Sequence, residues 1–470
     1  MTLTEVRNAL IARQISAPEL IDRTIRQIKR HNPDINAFVR TFFDSALAQA
    51  ADSERRIEAG CARPLEGIPL TIKDSIDIAG YPTTCGSLLH ADTTAAADAT
   101  CVRLLREAGA IIIGKTNCPE FLMNYETDNR IIGRTNNPWD LERTAGGSSG
   151  GESAAISSFC SFGGIGSDGG GSIRFPAHCC GIAGLKPTPG RISAAGHLPE
   201  IEHPGGLLGV VGPMARTVED VRQLFQVLAT YDVADPFSTP TPLRTPDLTP
   251  LRTKRQKIGL MRGWFDVPVQ PAITEATDDA AKKLAELGFA VEDFRPAGVE
   301  TAPEIWWFFF GQIHSRITSE ALRGNERRLH WTGVELLQKA LSEPEPTVRS
   351  VLENLKRRDQ MRTALLKQME QFPVLLLPAS GVVAFPHRRR RWSVGTREIG
   401  LLEAMAPLTP FNLLGMPALT LPFGFDADGM PCGVQIVGRP YEEELLLALG
   451  AELESARGPF PAPARSANLF

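Results

Sequence analysis

Between Thr144 and Arg191 the chain carries more glycine than an ordinary helix or strand tolerates, and its fold must be built around that stretch. Gly146, Gly147, Gly150, Gly151, Gly163, Gly164, Gly166, Gly169, Gly170 and Gly171 all fall within it. They are interleaved with apolar segments such as Ala154-Ala155-Ile156 and Gly181-Ile182-Ala183-Gly184-Leu185. Flexible linkers lack such segments. The glycines are therefore read as allowing backbone to approach a substrate closely, with amides turned inward. Two serines, Ser148 and Ser172, sit inside this framework, 24 residues apart. Upstream, Lys73 closes a candidate strand, Leu70-Thr71-Ile72-Lys73. The runs Gly67–Ile72 and Ile76–Gly80 make its surroundings apolar enough to desolvate an ammonium and depress its pKa.

Three motif matches in the same region fail on context. Gly109-Ala110-Ile111-Ile112-Ile113-Gly114-Lys115-Thr116 spells a phosphate-binding loop, but three isoleucines occupy what should be an exposed loop and suit a buried strand instead. Gly164-Ile165-Gly166-Ser167-Asp168-Gly169 spells a dinucleotide fingerprint, yet helix-breaking glycines follow it, and the next acid after Asp168 is Glu200. Gly146-Gly147-Ser148-Ser149-Gly150 contains a nucleophile-elbow pattern, preceded by only a weak strand, Leu141–Thr144. Downstream histidines keep that reading open in second place.

Elsewhere the texture is that of a large α/β protein. The first 65 residues read as a helical layer, with Leu3, Val6 and Leu10 at helical spacing and a start signal at Ser16 and Pro18. From Ile68 onward, short apolar runs (Ile68–Ile72, Ala110–Ile113, Val374–Leu377, Ala418–Leu421, Gly433–Val437) alternate with helical stretches at Ala99–Ala108, Val218–Ala229 and Thr274–Leu287. Five prolines between Asp235 and Pro250 mark an exposed connector. The region 235–372 reads as mostly helical and variable, inside one domain spanning 1–470. The aromatic run Ile305–Phe310 reads as core, and His387–Trp392 as a solvated basic loop. Fifty Lys and Arg against 54 Asp and Glu, a net charge of −4, supply no global positive field for nucleic acid or an anionic membrane. No apolar run approaches the length of a membrane span. Eight scattered cysteines without a Cys-x-x-Cys are expected as reduced thiols in a cytoplasmic protein.

Gly67-Ile68-Pro69 through Lys73-Asp74-Ser75-Ile76-Asp77, Gly114-Lys115-Thr116-Asn117, Gly146–Gly151 and Asp168–Ala177 together resemble the amidase signature family. Gly415-Met416-Pro417-Ala418 and Pro431–Gly438 resemble that family's last sheet segments; the likeness is weakest over residues 236–372. The resemblance implies a large mixed central β-sheet covered by helices on both faces. It also implies a Ser–Ser–Lys triad: Ser172 the nucleophile, Ser148 the bridging serine after a cis peptide, and Lys73 the base. Ser149, Asp168 and Arg174 would support the site, Ser149 and Arg174 by hydrogen bonds to the serines. The amides of Gly169, Gly170, Gly171 and Ser172 would form the oxyanion hole. Gly169 stands where the family commonly has Ile or Thr, from which a looser pocket wall is expected. No metal or cofactor is required. In relatives that act on fatty amides, the segment after the Lys-Thr-Asn turn lines the acyl pocket. Here it holds Phe121, Leu122, Met123 and Tyr125, types that suit core equally well; together with Trp306 to Phe310 they favour a hydrophobic or aromatic acyl group over a small polar one.

The leading expectation is a hydrolase of amides with hydrophobic or aromatic groups, with ester and carbamate hydrolysis open on the same triad. Its partners would be that small-molecule substrate and a second copy of the chain in a homodimer, with no nucleic acid and no membrane span. The alternative is the glutaminase subunit of a tRNA-dependent amidotransferase, which needs partner chains. A non-catalytic scaffold is disfavoured by the presence of all three triad residues.

Overall fold

Several apolar runs too short for helices and bounded by Gly or Pro become strands, and eleven strands join into one sheet in this computed structural model, which describes residues 1–203 and 207–466. In chain order the strands are β1 (Phe38–Thr41), β2 (Pro69–Lys73), β3 (Ile111–Thr116), β4 (Gly163–Asp168), β5 (Ala183–Lys186) and β6 (Val210–Ala215). There follow β7 (Ile258–Leu260), β8 (Val291–Asp293), β9 (Val374–Pro378), β10 (Arg391–Val394), β11 (Arg397–Gly400), β12 (Ala418–Phe425) and β13 (Pro431–Gly438). The sheet runs β1-β3-β2-β4-β6-β5-β12-β13-β9-β7-β8, while β10 and β11 form a separate hairpin. It is mixed: β3-β2-β4 and β9-β7-β8 are parallel, and the pairs between them antiparallel. Helices cover both faces, so β2 to β6, β9 and β13 are buried along their whole length.

The helical opening consists of Leu3–Ile11, Ala17–Ile35 and Phe43–Glu58. Thr2 and Glu5 form a reciprocal cap on the first, and Ser16 accepts from the Glu19 amide on the second, so each start satisfies otherwise orphaned N–H groups. Within 235–372 the helices are Thr249–Arg252, Pro271–Glu286, Ala302–Trp307, His314–Ala321, Trp331–Leu341 and Val348–Gln368, with a π-helical turn over Phe308–Ile313. Trp306, Trp307 and Phe309 join a second apolar cluster with Phe411, Leu413 and Met416. No helix among the described residues is long and apolar enough to cross a membrane.

Two local expectations change. Ile111 to Thr116, Gly114 included, form β3, and Lys115 is buried against Asp74 at 2.9 Å, so the phosphate-loop spelling is a strand whose lysine is held in an ion pair. The basic run is solvated at Arg388, Arg389 and Arg391, as expected, but not at Arg390. Arg390 bridges buried Glu126 and Glu335, each at 2.5 Å, and Arg388 and Arg390 both stack on Trp331.

Candidate active site

Strands β2 and β4 pair in parallel, so the residues that close them, Lys73 and Ser167-Asp168, emerge at one edge of the sheet. Carboxyl ends of parallel strands are where open α/β sheets place their ligand sites. The chain from β4 turns through Gly169–Ile173 into the helix Arg174–Cys180. Ser148 arrives at the same edge just before the helix Gly150–Ser157, after a cis Gly147–Ser148 peptide. Lys73 Nζ donates to Ser148 Oγ at 2.7 Å and to Ser167 Oγ at 3.0 Å, with the Ser167 carbonyl at 3.4 Å. Burial lowers the Lys73 pKa to about 8, tempered by Cys118, Cys85, Asp168 and Glu152 nearby. A good fraction of this amine is therefore neutral near physiological pH. Ser172 and Ser148 open onto one cavity of about 80 Å³, and Ser172 Oγ meets no hydrogen-bond partner among the described residues. From 161 to 180 the chain is buried except at Gly169 and Ser172, which keep partial exposure to that cavity.

The loop before Ser172 is held from several sides. Asp168 Oδ1 accepts from the Gly171 amide at 2.7 Å and Oδ2 from the Ile173 amide at 3.1 Å. Burial would raise this carboxyl, but Arg174, fully buried beside it, holds it well below the usual carboxylate range, with Lys186 and Asn412 assisting. Arg174 spends its remaining donors on Leu408 O, Gln435 and Asn412. Its expected contact with the serines is thus corrected: it acts on the loop through Asp168. Ser149 does stand where expected, its amide donating to the Ser172 carbonyl at 3.1 Å and its hydroxyl lying against the Ser167 peptide. The oxyanion set is trimmed, because the Gly171 amide is taken by Asp168, leaving the amides of Gly169, Gly170 and Ser172.

Tyr125 and Trp306 each fasten one carbonyl of this loop. Trp306 Nε1 donates to Gly169 O and Tyr125 Oη to Gly170 O, both at 2.8 Å. In a trans peptide the N–H opposes the C=O, so tethering Gly169 O turns the Gly170 amide away from Trp306, and tethering Gly170 O aims the Gly171 amide at Asp168. Tyr125 is accordingly not a pocket wall, whereas Leu122 and Met123 line the cavity, together with Phe121, Phe309 and Phe310. The looser wall anticipated at Gly169 is also corrected. A Cβ there would lie 3.3 Å from the Phe310 ring, so an aromatic side chain from the far region fills the space.

Ser167, Trp306, Asn412 and Gln435 were missed from sequence. Ser167 is one serine among many. The other three come from segments distant in the chain, and only the fold brings Asn412 to Asp168, Gln435 to Arg174 and Trp306 to Gly169 O. The elbow reading loses ground, because the Ser148 hydroxyl meets Lys73 rather than an imidazole. His197 is committed to Ser75 and Pro199 O, and His178 to Val382 O and the Gly433 amide.

A family model described as Amidase matches residues 19–447. A glutamyl-tRNA(Gln) amidotransferase subunit of Chloroflexus aurantiacus is 35% identical over 474 residues, covering 96% of this chain and 95% of that protein. Among solved structures, 6-aminohexanoate cyclic dimer hydrolase complexed with substrate superposes with a TM-score of 0.86 at 29% identity, over 99% of each chain. The corresponding glutamyl-tRNA(Gln) amidotransferase subunit from Thermotoga maritima superposes with a TM-score of 0.77 at 28% identity, over 98% of this chain and 97% of that one. These relatives correct the expected partners. Likeness over nearly the full length is to a subunit of an enzyme named for a tRNA, so an exclusion of nucleic acid and of partners other than a second copy does not hold. The charge argument failed because it weighed this chain alone, and a subunit need not carry the positive surface of its assembly.

Proposed function

The chain belongs to the amidase signature family, and on that premise we propose that it hydrolyses an amide C–N bond through an acyl-enzyme on Ser172. The observation that carries this reading is the 2.7 Å bond between Lys73 and Ser148 in a buried site. Neutral Lys73 accepts the Ser148 proton as Ser148 takes that of Ser172, whose oxygen attacks the carbonyl. Negative charge on the carbonyl oxygen is met by the amides of Gly169, Gly170 and Ser172. The proton then returns through Ser148 to the leaving nitrogen, the C–N bond breaks, and water clears the ester by the same relay. An ester or carbamate fits the same sequence, since its leaving group too can be protonated by Ser148.

For the physiological amide, the curated relatives speak for the amidotransferase setting more than for a free-standing hydrolase. In that setting the chain would be the subunit that frees ammonia from a carboxamide for a partner. A second reading has its own observation. The wall formed by Phe121, Leu122, Met123, Phe309 and Phe310 is apolar, which suits a hydrophobic or aromatic acyl group.

The test is turnover of glutamine, an aliphatic amide, an anilide, an aryl ester and a carbamate by wild type and Ser172→Ala, with the intact mass of the protein followed for an acyl adduct. Adduct and turnover are expected in wild type and absent from Ser172→Ala. Unchanged turnover in Ser172→Ala overturns the assignment. Glutamine turnover that appears only with a co-purified partner chain selects the amidotransferase setting.

A further inference from the structure

Trp306, Phe310 and His314 form a single column of rings beside Ser172. Trp306 and Phe310 stack with centroids 4.7 Å apart and planes 14° from parallel. Phe310 and His314 continue the column at 6.2 Å and 21°. On a regular α-helix, residues four apart drift by about 40° per step. Here the π-helical turn over Phe308–Ile313, wider than an α-helical one, takes up that drift. One end of the column is pinned, because Trp306 donates to Gly169 O. Its middle ring occupies the space a side chain at 169 would need, and a Cβ at Gly170 would run into Trp306. The two glycines thus have a reason to be glycine: the wall beside the nucleophile is supplied by the segment 306–314.

His314 sits in the same cavity as Ser172, and neither of its nitrogens meets a partner among the described residues. Burial lowers its pKa, so the ring is neutral at physiological pH and offers one N–H donor and one acceptor. A polar ring at the end of an apolar wall is placed to hydrogen-bond a polar atom of whatever fills the cavity. The leaving nitrogen must face Ser148, which protonates it, while the column stands on the glycine-loop side. The group lying against the column is therefore the acyl group.

We propose that the Trp306–Phe310–His314 column selects the acyl group, accepting a flat single-ring aromatic carboxamide whose ring heteroatom or hydroxyl is hydrogen-bonded by His314. This rests on the acyl-enzyme reading and on the second of the two substrate readings above. The cavity of about 80 Å³ favours one ring over a longer chain, and because Trp306 and His314 take the faces of Phe310, the substrate ring meets the edge of the column, a contact that suits a flat aromatic ring.

The test compares kcat/KM for the three pyridine carboxamides and for hydroxybenzamides with that for benzamide, in wild type, His314→Leu and His314→Gln. Ratios within one variant do not depend on how much of it is folded. Wild type is expected to prefer at least one heteroaryl or hydroxylated ring by about ten- to a hundredfold. His314→Leu should bring that ratio to about one, and His314→Gln, which still offers a donor and an acceptor, should keep part of it. A ratio that both variants leave unchanged overturns the proposal. So does a wild type that turns over glutamine and no aromatic amide, an outcome under which the acyl-enzyme reading stands. Where no amide is turned over, calorimetric titration of Ser172→Ala with the same compounds decides. Tighter binding of the substituted ring, lost on adding His314→Leu, sustains the column even as the hydrolytic reading falls. Equal or absent binding overturns it.

Discussion

At the scale of single residues, the site turns on one amine held where an ammonium is unwelcome. Lys73 has no carboxylate bonded to it among the described residues; its partners are two hydroxyls and a carbonyl, and its pKa falls to about 8 because it is buried. The base form is the unprotonated one, so kcat/KM should rise close to tenfold per pH unit below about 7 and level off above about 8.5. A pH–rate profile measured at substrate concentrations well under KM checks this, and a flat profile from pH 6 to 10 removes Lys73 as the base. Lys73→Ala and Ser148→Ala should each cost about 10² to 10⁴ in kcat. Because both break one relay, the double variant should lose little more than either alone. Tyr125→Phe removes only the tether on Gly170 O. The expected loss is about tenfold, borne by kcat rather than KM, since in the proposed mechanism the loop it holds meets the charge that develops in the transition state. An equal loss in KM would make Tyr125 a binding residue instead.

At the scale of elements, one carboxyl of the helix Gly150–Ser157 ties the serine loop to two strands of the sheet. Glu152, fully buried in its first turn, accepts from Thr71 on β2 and from Thr116 on β3, the latter at 2.6 Å. Gly164 on β4 leaves room for it, as any Cβ there would collide with the carboxyl. Burial raises the Glu152 pKa to about 7, with the two threonines pulling against the shift. Glu152→Gln keeps an acceptor and should change stability little, whereas Glu152→Leu strands two buried hydroxyls and should cost roughly 1–3 kcal/mol. Urea midpoints of the two variants check this, and equal losses would show that volume rather than hydrogen bonding matters. The same helix marks the limit of what sequence made legible. Val374–Leu377 and Ala418–Leu421 read as strands because a strand buried on both faces is a continuous apolar run. Strand β4, Gly163–Asp168, and the helix Gly150–Ser157 did not, because their glycines make room for neighbours that only the folded chain supplies: Glu152, Thr127, Ser149. Lys73, Ser148 and Ser172, the proposed triad, could be singled out because their flanking sequences are distinctive, and the fold brings Lys73 to Ser148 and opens both serines onto one cavity. Trp306 was read as core, because an indole that orients a glycine loop looks in sequence like any other buried aromatic.

At the scale of the whole molecule, the buried titratable groups make stability depend on pH in a way no single site does. Burial brings Lys186 down to about 7 and Lys73 to about 8, against about 10.4 for an unfolded lysine. From pH 7 upward the unfolded chain therefore binds more protons at these two positions, and stability rises with pH. Six buried thiols act in the opposite sense. Burial pushes Cys101, Cys180 and Cys432 up to about 12 and raises Cys85, Cys160 and Cys179 as well. Unfolded thiols ionise from about 8.5, so above that the folded chain holds more protons and stability falls. Below neutrality two effects oppose each other. His178 and His197, lowered to about 4 by burial, gain stability as pH rises toward 6.5, while Glu152 and Glu454, raised to about 7 by burial, lose it between about 4.5 and 7. The expected profile is nearly flat from pH 5 to 7, climbs to a maximum between about 8 and 9, and declines beyond as six thiols outweigh two amines. Urea midpoints from pH 5 to 11 under a reducing agent measure it. Replacing Cys101 and Cys180 by alanine should soften the alkaline decline without moving the rise between 7 and 8.5. A midpoint that keeps climbing to pH 10 would show that the thiols do not carry the alkaline limb.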